Sequence, residues 1–265
     1  MAEEKQEQVK KTEEVSEGKT ANLVDNEVTT KIVEVKKETG NIQDKGKFNR
    51  RDGPLDISGW EPKTKLGREV KDGKIKNIDE ILDNKRKILE SEIVDSLIDV
   101  KSELANIGQS KGKFGGGKRR IWRQTQRKTK EGNVPKFSTL AIIGDENGHV
   151  GIASGKSKET LPAREKSIKK AKLNIIKIKR ACSGFDCACS ELHTVPFKVT
   201  GKMGSVRVTL IPASQGTGLV VANELKKVLR LAGIKDVYSK TFGKKRTTFN
   251  LIKAGIDALE KTNVK

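Results

Sequence analysis

The chain carries a run of closely spaced cations whose chemistry suits phosphate binding. Residues 108–130 hold nine lysines and arginines and no aspartate or glutamate. These side chains cannot pack into a core, because each cation would lose its hydration without gaining a partner. Phosphates would satisfy them while releasing condensed counterions. The run therefore predicts binding to a polyanion, although a basic run alone is also typical of a solvated surface or a localisation signal. Its members are Lys111, Lys113, Lys118, Arg119, Arg120, Arg123, Arg127, Lys128 and Lys130.

A second group of residues could bind a metal ion. Cys182, Cys187, Cys189 and His193 follow a C-x(4)-C-x-C-x(3)-H spacing within twelve residues. Three thiolates and an imidazole are the ligand set of a closed tetrahedral zinc site, so structural zinc is the candidate cofactor. The spacing is not that of a standard zinc knuckle, and a second interpretation stays open. In it, Cys182 and Cys187 are small buried apolar residues, and His193 contacts RNA or the backbone.

The motifs that suggest an enzyme are incomplete. Residues 151–157 read GIASGKS, which ends like a phosphate-binding loop but has three residues where that loop has four between its glycines. We expect a turn there that exposes Lys156 to RNA. The two histidines, His149 and His193, have no nucleophile at an informative spacing. The sequence therefore predicts a protein that is not an enzyme and has no small-molecule substrate.

The positive charge of the chain lies almost entirely outside its first 50 residues. The 55 basic and 35 acidic residues give a net charge of +20. Residues 1–50 hold 10 basic and 11 acidic residues and one aromatic residue, Phe48, which predicts a disordered, near-neutral tail. No apolar run approaches the roughly 20 residues that cross a bilayer, and no signal peptide is recognisable. We expect a cytoplasmic protein, and three clustered cysteines suit a reducing compartment.

The hydrophobic pattern predicts a first α+β unit that would position the basic run. Apolar residues between 79 and 104 recur every three or four positions, from Leu89 to Leu104, and predict one amphipathic helix. Residues 137–143 read as a buried strand, 144–148 as a turn and 149–152 as the returning strand. Leu161, Ile168, Ala171 and Ile175 mark one side of a further helix with a basic outer face.

A second α+β unit follows the cysteines. Residues 197–200 and 206–210 alternate as half-buried strands do. A helical stripe then ends at Gly233 in the C′ position, residues 236–238 predict a short strand, and a last helix follows. The order β-β-α-β-α suits a small sheet backed by helices.

Two blocks of motifs carry a resemblance to a known family. The first block has QRKTKEG at 126–132, Phe137, IGDENGHVG at 143–151 and GK at 155–156. The second has HTVPF at 193–197, GKMGSVR at 201–207, LIPA at 210–213, GTGL at 216–219 and LAGIKD at 231–236. Together they resemble the universal small-subunit ribosomal protein five (S-five) family over roughly residues 58–262. WEPKTKLG at 60–67 and the cysteine-rich segment are similar to its archaeal branch, whose eukaryotic counterpart is ribosomal protein S-two.

The resemblance implies a fold of two domains and a division of the chain. The disordered tail (1–50) and an extended arm (51–78) precede a domain that resembles a double-stranded-RNA-binding module (79–180). A cysteine-rich linker (181–192) leads to a C-terminal domain with a left-handed βαβ fold (193–265). In the family, the loop between the first two strands reaches toward the decoding region. Gln126, Arg127, Lys128, Lys130 and Lys136 match its positions.

The resemblance also implies a function and partners. The chain is expected to be a structural constituent of the small ribosomal subunit, bound to ribosomal RNA, and to support translational accuracy. Messenger RNA near its entrance channel and ribosomal proteins four and eight are expected neighbours, with protein three as a further candidate. Lys156 and Lys202, within the matched motifs, join the basic run as expected RNA contacts.

Two departures from the family's sequence pattern limit which contacts can be transferred to this chain, and two other functions are alternatives. Gly132-Asn-Val134 stands where relatives commonly have Gly-Arg-Arg, and residues 108–118 resemble an insertion whose contacts cannot be transferred. A freestanding regulator that binds double-stranded RNA is the first alternative, which the second motif block disfavours. A nucleotide-dependent enzyme is the second, which the incomplete phosphate loop disfavours.

Overall fold

The computed structural model describes residues 59–110, 119–182, 189 and 191–263, and shows a mixed α and β fold. Within this part of the chain, the strands form one five-stranded and one four-stranded sheet. The α+β class predicted from the sequence is confirmed. The predicted tail, residues 1–50, lies outside the described residues.

In the described part of the chain, three short helices precede the first sheet. They are α1 (Lys65–Lys71), α2 (Ile78–Asp83) and α3 (Ser91–Leu97). The single helix predicted over residues 79–104 is therefore wrong. Lys85 has φ of 52° just after α2, Ile98 is extended after α3, and Leu89, counted in the apolar stripe, is 68% exposed. The end of the predicted helix is instead a strand, because pairing with the sheet overrides local helical periodicity.

The first sheet is antiparallel and is centred on one long strand. Its strands are β1 (Lys101–Leu104), β2 (Arg123–Thr129), β3 (Gly132–Gly144), β4 (His149–Ser157) and β5 (Ile175–Lys177). The order is β1-β3-β4-β5, and β2 pairs with the first half of β3. The predicted hairpin between β3 and β4 is confirmed.

The second half of β3 is buried on both of its faces. Ala141 and Ile143 belong to one hydrophobic cluster, with α1, α2 and α3. Leu140 and Ile142 point the other way, since strand side chains alternate, and belong to a cluster with the second sheet. All four side chains are 0% exposed. This strand therefore connects the two clusters.

Helix α4 (Thr160–Leu173) packs directly on β4. A Cβ atom at Gly155 would overlap the Ala163 carbonyl, and one at Gly151 would overlap the Ala171 carbonyl. These glycines of the GIASGKS motif thus allow a helix to approach a strand. The turn expected there is wrong, because residues 151–157 are the body of β4 rather than a loop around phosphate.

The second sheet has the order β6-β7-β9-β8. Its strands are β6 (Val199–Met203), β7 (Val206–Pro212), β8 (Leu219–Val220) and β9 (Val237–Phe242). Helix α5 (Asn223–Leu231) joins β8 to β9, which run parallel, and α6 (Thr248–Glu260) packs on β6 and β7. The sequence predicted the order without β8, whose two residues are too few to show a pattern. Gly233 ends α5 with φ of +77°, as predicted.

The two sheets meet at a closely packed junction. Glu146, in the β3–β4 turn, donates its backbone N–H to the Leu231 carbonyl at 2.9 Å. Arg180 donates to the carbonyls of Glu146, Asn147 and Gly233 at 2.9–3.4 Å. The junction fixes the orientation of the first sheet, including its exposed end, relative to the second.

Candidate nucleic-acid interface

The strands β2 and β3 extend from the first sheet as an exposed hairpin. All seven residues of β2 are exposed. Of the seven residues of β3 before Thr139, three are exposed and four are partly buried. Thr129 pairs with Gly132, so Lys130 and Glu131 form a two-residue connection. Gly132 has φ of +121°, a backbone conformation that residues with a side chain rarely adopt. The predicted loop at 126–136 is therefore a paired hairpin, whose ladder holds its basic side chains at fixed spacings.

The hairpin brings together much of the predicted RNA-binding set. Within the described residues, none of its basic side chains forms an ion pair. Because no carboxylate of the described chain pairs with these cations, they can attract an external anion without first breaking an ion pair. The basic residues of the hairpin, all exposed, are Arg123, Arg127, Lys128, Lys130 and Lys136, and Gln126 is exposed beside them.

The remaining predicted RNA contacts lie elsewhere. Arg119 and Arg120 are exposed and precede β2. Lys156 is exposed near the end of β4, whereas Lys202 is exposed on β6 of the second sheet and is not part of the hairpin. Lys111, Lys113 and Lys118 lie outside the described residues.

A lysine-rich depression adjoins the base of the hairpin. Its volume is about 530 Å³. It forms where β4 ends and α4 begins, so the first turn of α4 lies beside it. Unpaired N–H groups and the helix dipole favour anions at such a position. Its lining includes one carboxylate, Glu159, and four lysines, Lys136, Lys156, Lys158 and Lys166. Its four lysines make this depression a candidate contact for a phosphate group.

The structure adds a basic segment that the sequence reasoning missed. Residues 244–246 (KKR) are exposed in the loop between β9 and α6. Arg119 Nη1 donates to the Arg246 carbonyl at 2.8 Å, so this loop lies beside the basic run. The signal in the sequence was three consecutive basic residues after Gly243. Their proximity to Arg119 could not be seen, because 127 residues separate the two.

His149 has a structural role. Its Nδ1 lies 2.6 Å from Asp145 Oδ2, and its Nε2 lies 2.9 Å from Asp79 Oδ1. Burial lowers the pKa of His149, but the hydrogen bonds to the two carboxylates raise it more, and the net pKa lies above its ordinary value. The imidazole thus connects α2 to the β3–β4 turn, with Lys177 Nζ 3.2 Å from the same Asp79 oxygen. Both ring nitrogens are engaged, which does not suit acid–base catalysis.

Three of the four predicted metal ligands are described by the structure, and they lie close together. The ligand atoms of Cys182, Cys189 and His193 all lie within 4.8 Å of one another. Cys187, the fourth predicted ligand, lies outside the described residues. His193 is 1% exposed, and Cys182 and Cys189 are half-buried. This burial does not suit the alternative in which His193 contacts RNA, although its carbonyl does accept backbone hydrogen bonds from Lys235 and Asp236.

Among the helices that the structure describes, none has the length and apolar composition needed to cross a membrane.

Comparisons with known proteins identify relatives for most of the chain. Residues 121–179 match a family model described as ribosomal protein S5, N-terminal domain, and residues 201–264 match the C-terminal domain of the same protein. The small ribosomal subunit protein uS5 of Nanoarchaeum equitans is 51% identical over 208 residues, which cover 78% of this chain and 89% of that protein. The uS5 proteins of Thermofilum pendens (45% over 204 residues, 77% and 94% covered) and Methanocaldococcus jannaschii (43% over 210 residues, 79% and 90% covered) are also similar.

Proposed function

The chain belongs to the ribosomal protein S5 family, and we propose on this basis that it is a structural constituent of the small ribosomal subunit. Proteins of this family are structural and are not enzymes. The two family models match residues 121–179 and 201–264, which include strands of both sheets. The proposed location is the cytoplasm, on the ribosome.

We further propose that the chain binds ribosomal RNA through the β2–β3 hairpin and the lysine-rich depression. The observation that carries this proposal is the exposed hairpin, whose basic residues have no ion-pair partner in the described part of the chain. Lys136 is shared by the hairpin and the depression, so one RNA backbone can follow both. Lys202, on the second sheet, would bind a separate stretch of RNA.

The mechanism is binding and geometry, without bond chemistry. Lysine and arginine side chains neutralise phosphates and fix the position of the protein on the RNA. An A-form RNA helix has a deep, narrow major groove that side chains cannot read, so recognition depends on shape, phosphates and 2′-hydroxyls. The hairpin is a paired ribbon attached to a buried strand, and it therefore presents its cations with little loss of conformational freedom on binding.

Family membership supports a further proposal for the neighbourhood of the protein. The hairpin would reach toward the decoding region and support translational accuracy. Messenger RNA near its entrance channel would be close, together with ribosomal proteins four and eight, and protein three would be a further candidate neighbour. The division into a double-stranded-RNA-binding-like domain (79–180) and a left-handed βαβ domain (193–265) belongs to the same proposal. The parallel pair β8 and β9, joined by α5, supports the βαβ part.

Sedimentation of the tagged full chain on sucrose gradients tests this function. We expect the chain in the small-subunit peak, with small-subunit ribosomal RNA in the same fraction, until salt is raised well above physiological levels. A freestanding RNA-binding regulator would instead appear in light fractions at moderate salt, and that result would refute the proposal.

A pair of variants tests the depression in the same gradients. Lys156, Lys158 and Lys166 are changed to glutamine in one variant and to arginine in the other. The glutamine variant should leave the subunit at lower salt, because three phosphate-binding charges are gone. The arginine variant should remain bound like the unmodified chain, since the charge is kept. Equal release of both variants would show that the depression does not contact RNA.

A further inference from the structure

We infer that Cys182, Cys189 and His193 bind one zinc ion, and that Asp236 orients the histidine toward it. The two cysteines flank a segment of six residues, and His193 follows four residues after Cys189. The backbone brings both ends of this segment together, since Ala181 and Thr194 exchange hydrogen bonds at 2.9 and 3.0 Å. The ligands are therefore carried on a closed loop, which suits a structural metal site.

The distances fit three of the four ligand positions of a tetrahedral zinc ion. Cys182 Sγ and Cys189 Sγ are 3.4 Å apart. Two sulfurs bound to one zinc at about 2.3 Å each lie about 3.8 Å apart in a tetrahedron. The ligand atom of His193 lies within 4.8 Å of both sulfurs. Small movements of side chains would bring all three atoms onto one ion.

Cys182 and Cys189 are not joined by a disulfide in the structure, since their sulfurs are 3.4 Å apart. A disulfide has an S–S distance of about 2.05 Å. Two thiolates beside an imidazole match the soft ligand preference of zinc. The oxygen-rich surroundings that calcium or magnesium would need are not present among these three ligands.

Asp236 gives the histidine the orientation that a zinc ligand needs. Its Oδ2 lies 2.9 Å from His193 Nδ1, and its Oδ1 accepts the Gly218 N–H at 2.7 Å. The carboxylate is 4% exposed as a residue and is therefore held firmly. A carboxylate at Nδ1 fixes the tautomer in which Nε2 is the basic nitrogen, so Nε2 is the atom assigned to zinc. Such carboxylate–histidine pairs are typical of metal sites.

The backbone of His193 is fixed as well. Its carbonyl accepts hydrogen bonds from the N–H groups of Lys235 and Asp236 at 2.8 and 3.1 Å. The segment after α5 thus holds both the main chain and the side chain of this ligand. A zinc ion would connect the loop between the two sheets to the edge of the second sheet, where β8 and β9 begin. This role does not depend on RNA binding.

The site is tested first on the unmodified full chain. The protein is reduced, freed of metal with a chelator and titrated with cobalt, which replaces zinc and is visible by absorption. We expect a sulfur-to-cobalt charge-transfer band and the visible bands of a tetrahedral ion, both displaced by one equivalent of zinc. Zinc should also protect Cys182 and Cys189 from alkylation, as read by mass spectrometry. Absence of the charge-transfer band, or less than about one-tenth equivalent of zinc, would refute the proposal.

Three variants identify the residues. Cys189→Ser should lose the charge-transfer intensity of one sulfur and most of the zinc. Asp236→Asn should keep one zinc per chain but bind it about 10- to 100-fold more weakly. Glu191→Gln is the matched control, because it lies in the same loop and carries a potential ligand, yet pairs with Lys235 at 2.8 Å. Its zinc affinity should be unchanged. Unaltered zinc binding by Cys189→Ser, or equal weakening by Glu191→Gln and Asp236→Asn, would contradict the assignment.

Discussion

Removing three charges from the end of the hairpin should weaken RNA binding in a manner that depends on salt. The variant has Arg127, Lys128 and Lys130 changed to glutamine. The three side chains are exposed, and in the described part of the chain none forms an ion pair. Their loss should therefore change the free energy of unfolding by less than about 0.5 kcal/mol.

The expected size follows from the number of phosphates released. Each neutralised phosphate contributes about 0.7 to 0.9 to the slope of log affinity against log salt. Three lost contacts should make that slope shallower by about 2 to 3. Between about 50 and 200 mM salt, the advantage of the unmodified chain over the variant should then shrink by about 20- to 40-fold. The assay is titration of RNA from the small-subunit peak with the full chain at several salt concentrations.

A variant of equal net charge separates local contacts from general attraction. Lys65, Lys76 and Lys87 are exposed and precede β1, with Lys65 in α1 and the other two in connecting segments, outside the proposed interface. Their change to glutamine lowers the net charge by the same amount. This control should change the slope of log affinity against log salt by less than about 0.5, since none of these lysines is assigned to a phosphate. If the two triple variants had the same slope, net charge alone would explain binding, and the hairpin would not be the interface.

Two further variants test the packing and the buried histidine. Gly155→Ala should destabilise the protein by about 1–3 kcal/mol in thermal unfolding, because the added Cβ would overlap the Ala163 carbonyl. Gly59→Ala is the control and should have little effect, since no other atom lies within 4 Å of the position of its Cβ. The pKa of His149 is raised in the folded protein, so its charged form adds stability that is complete below its unfolded pKa of about 6.5 and is lost as pH rises through the folded pKa. The stability difference between the unmodified chain and His149→Asn should accordingly be larger near pH 6 than near pH 9, as measured by urea unfolding, and a difference that grows with pH would contradict the assigned ion pairs.

The sequence predicted elements where burial and periodicity agree. The strand β3 and its return in β4 were found because an apolar run is followed by turn residues at 144–148. The end of α5 was found because Gly233 supplies a positive φ that other residues disfavour. The strand β2 was missed as a strand for the opposite reason. All of its residues are exposed, so it has no buried face to produce alternation, and only its hydrogen bonds to β3 define it.

The candidate site was predictable in residue type but not in arrangement. The basic run showed its chemistry directly, because charges without carboxylates are visible in a sequence. The contact from Arg119 to the loop at 244–246 depends on the whole fold and was missed. Asp236 was missed as a partner of His193 for the same reason, since 43 residues separate them. The regular spacing between 79 and 104 misled the helix prediction, because strand β1 gains its stability from pairing with β3.

The two-sided burial of β3 has a consequence for how the protein unfolds. Four consecutive residues of β3 contribute alternately to the two hydrophobic clusters. Leu140 and Ile142 belong to one cluster, and Ala141 and Ile143 belong to the other. Neither cluster can lose this strand without exposing the other, so thermal melting should be a single cooperative transition. An isolated fragment ending at residue 180 would expose the face with Leu140 to water and would tend to aggregate. During synthesis, the same face stays uncovered until α5 and β7 leave the exit tunnel. The first sheet thus reaches its final packing only after most of the second sheet has been synthesised.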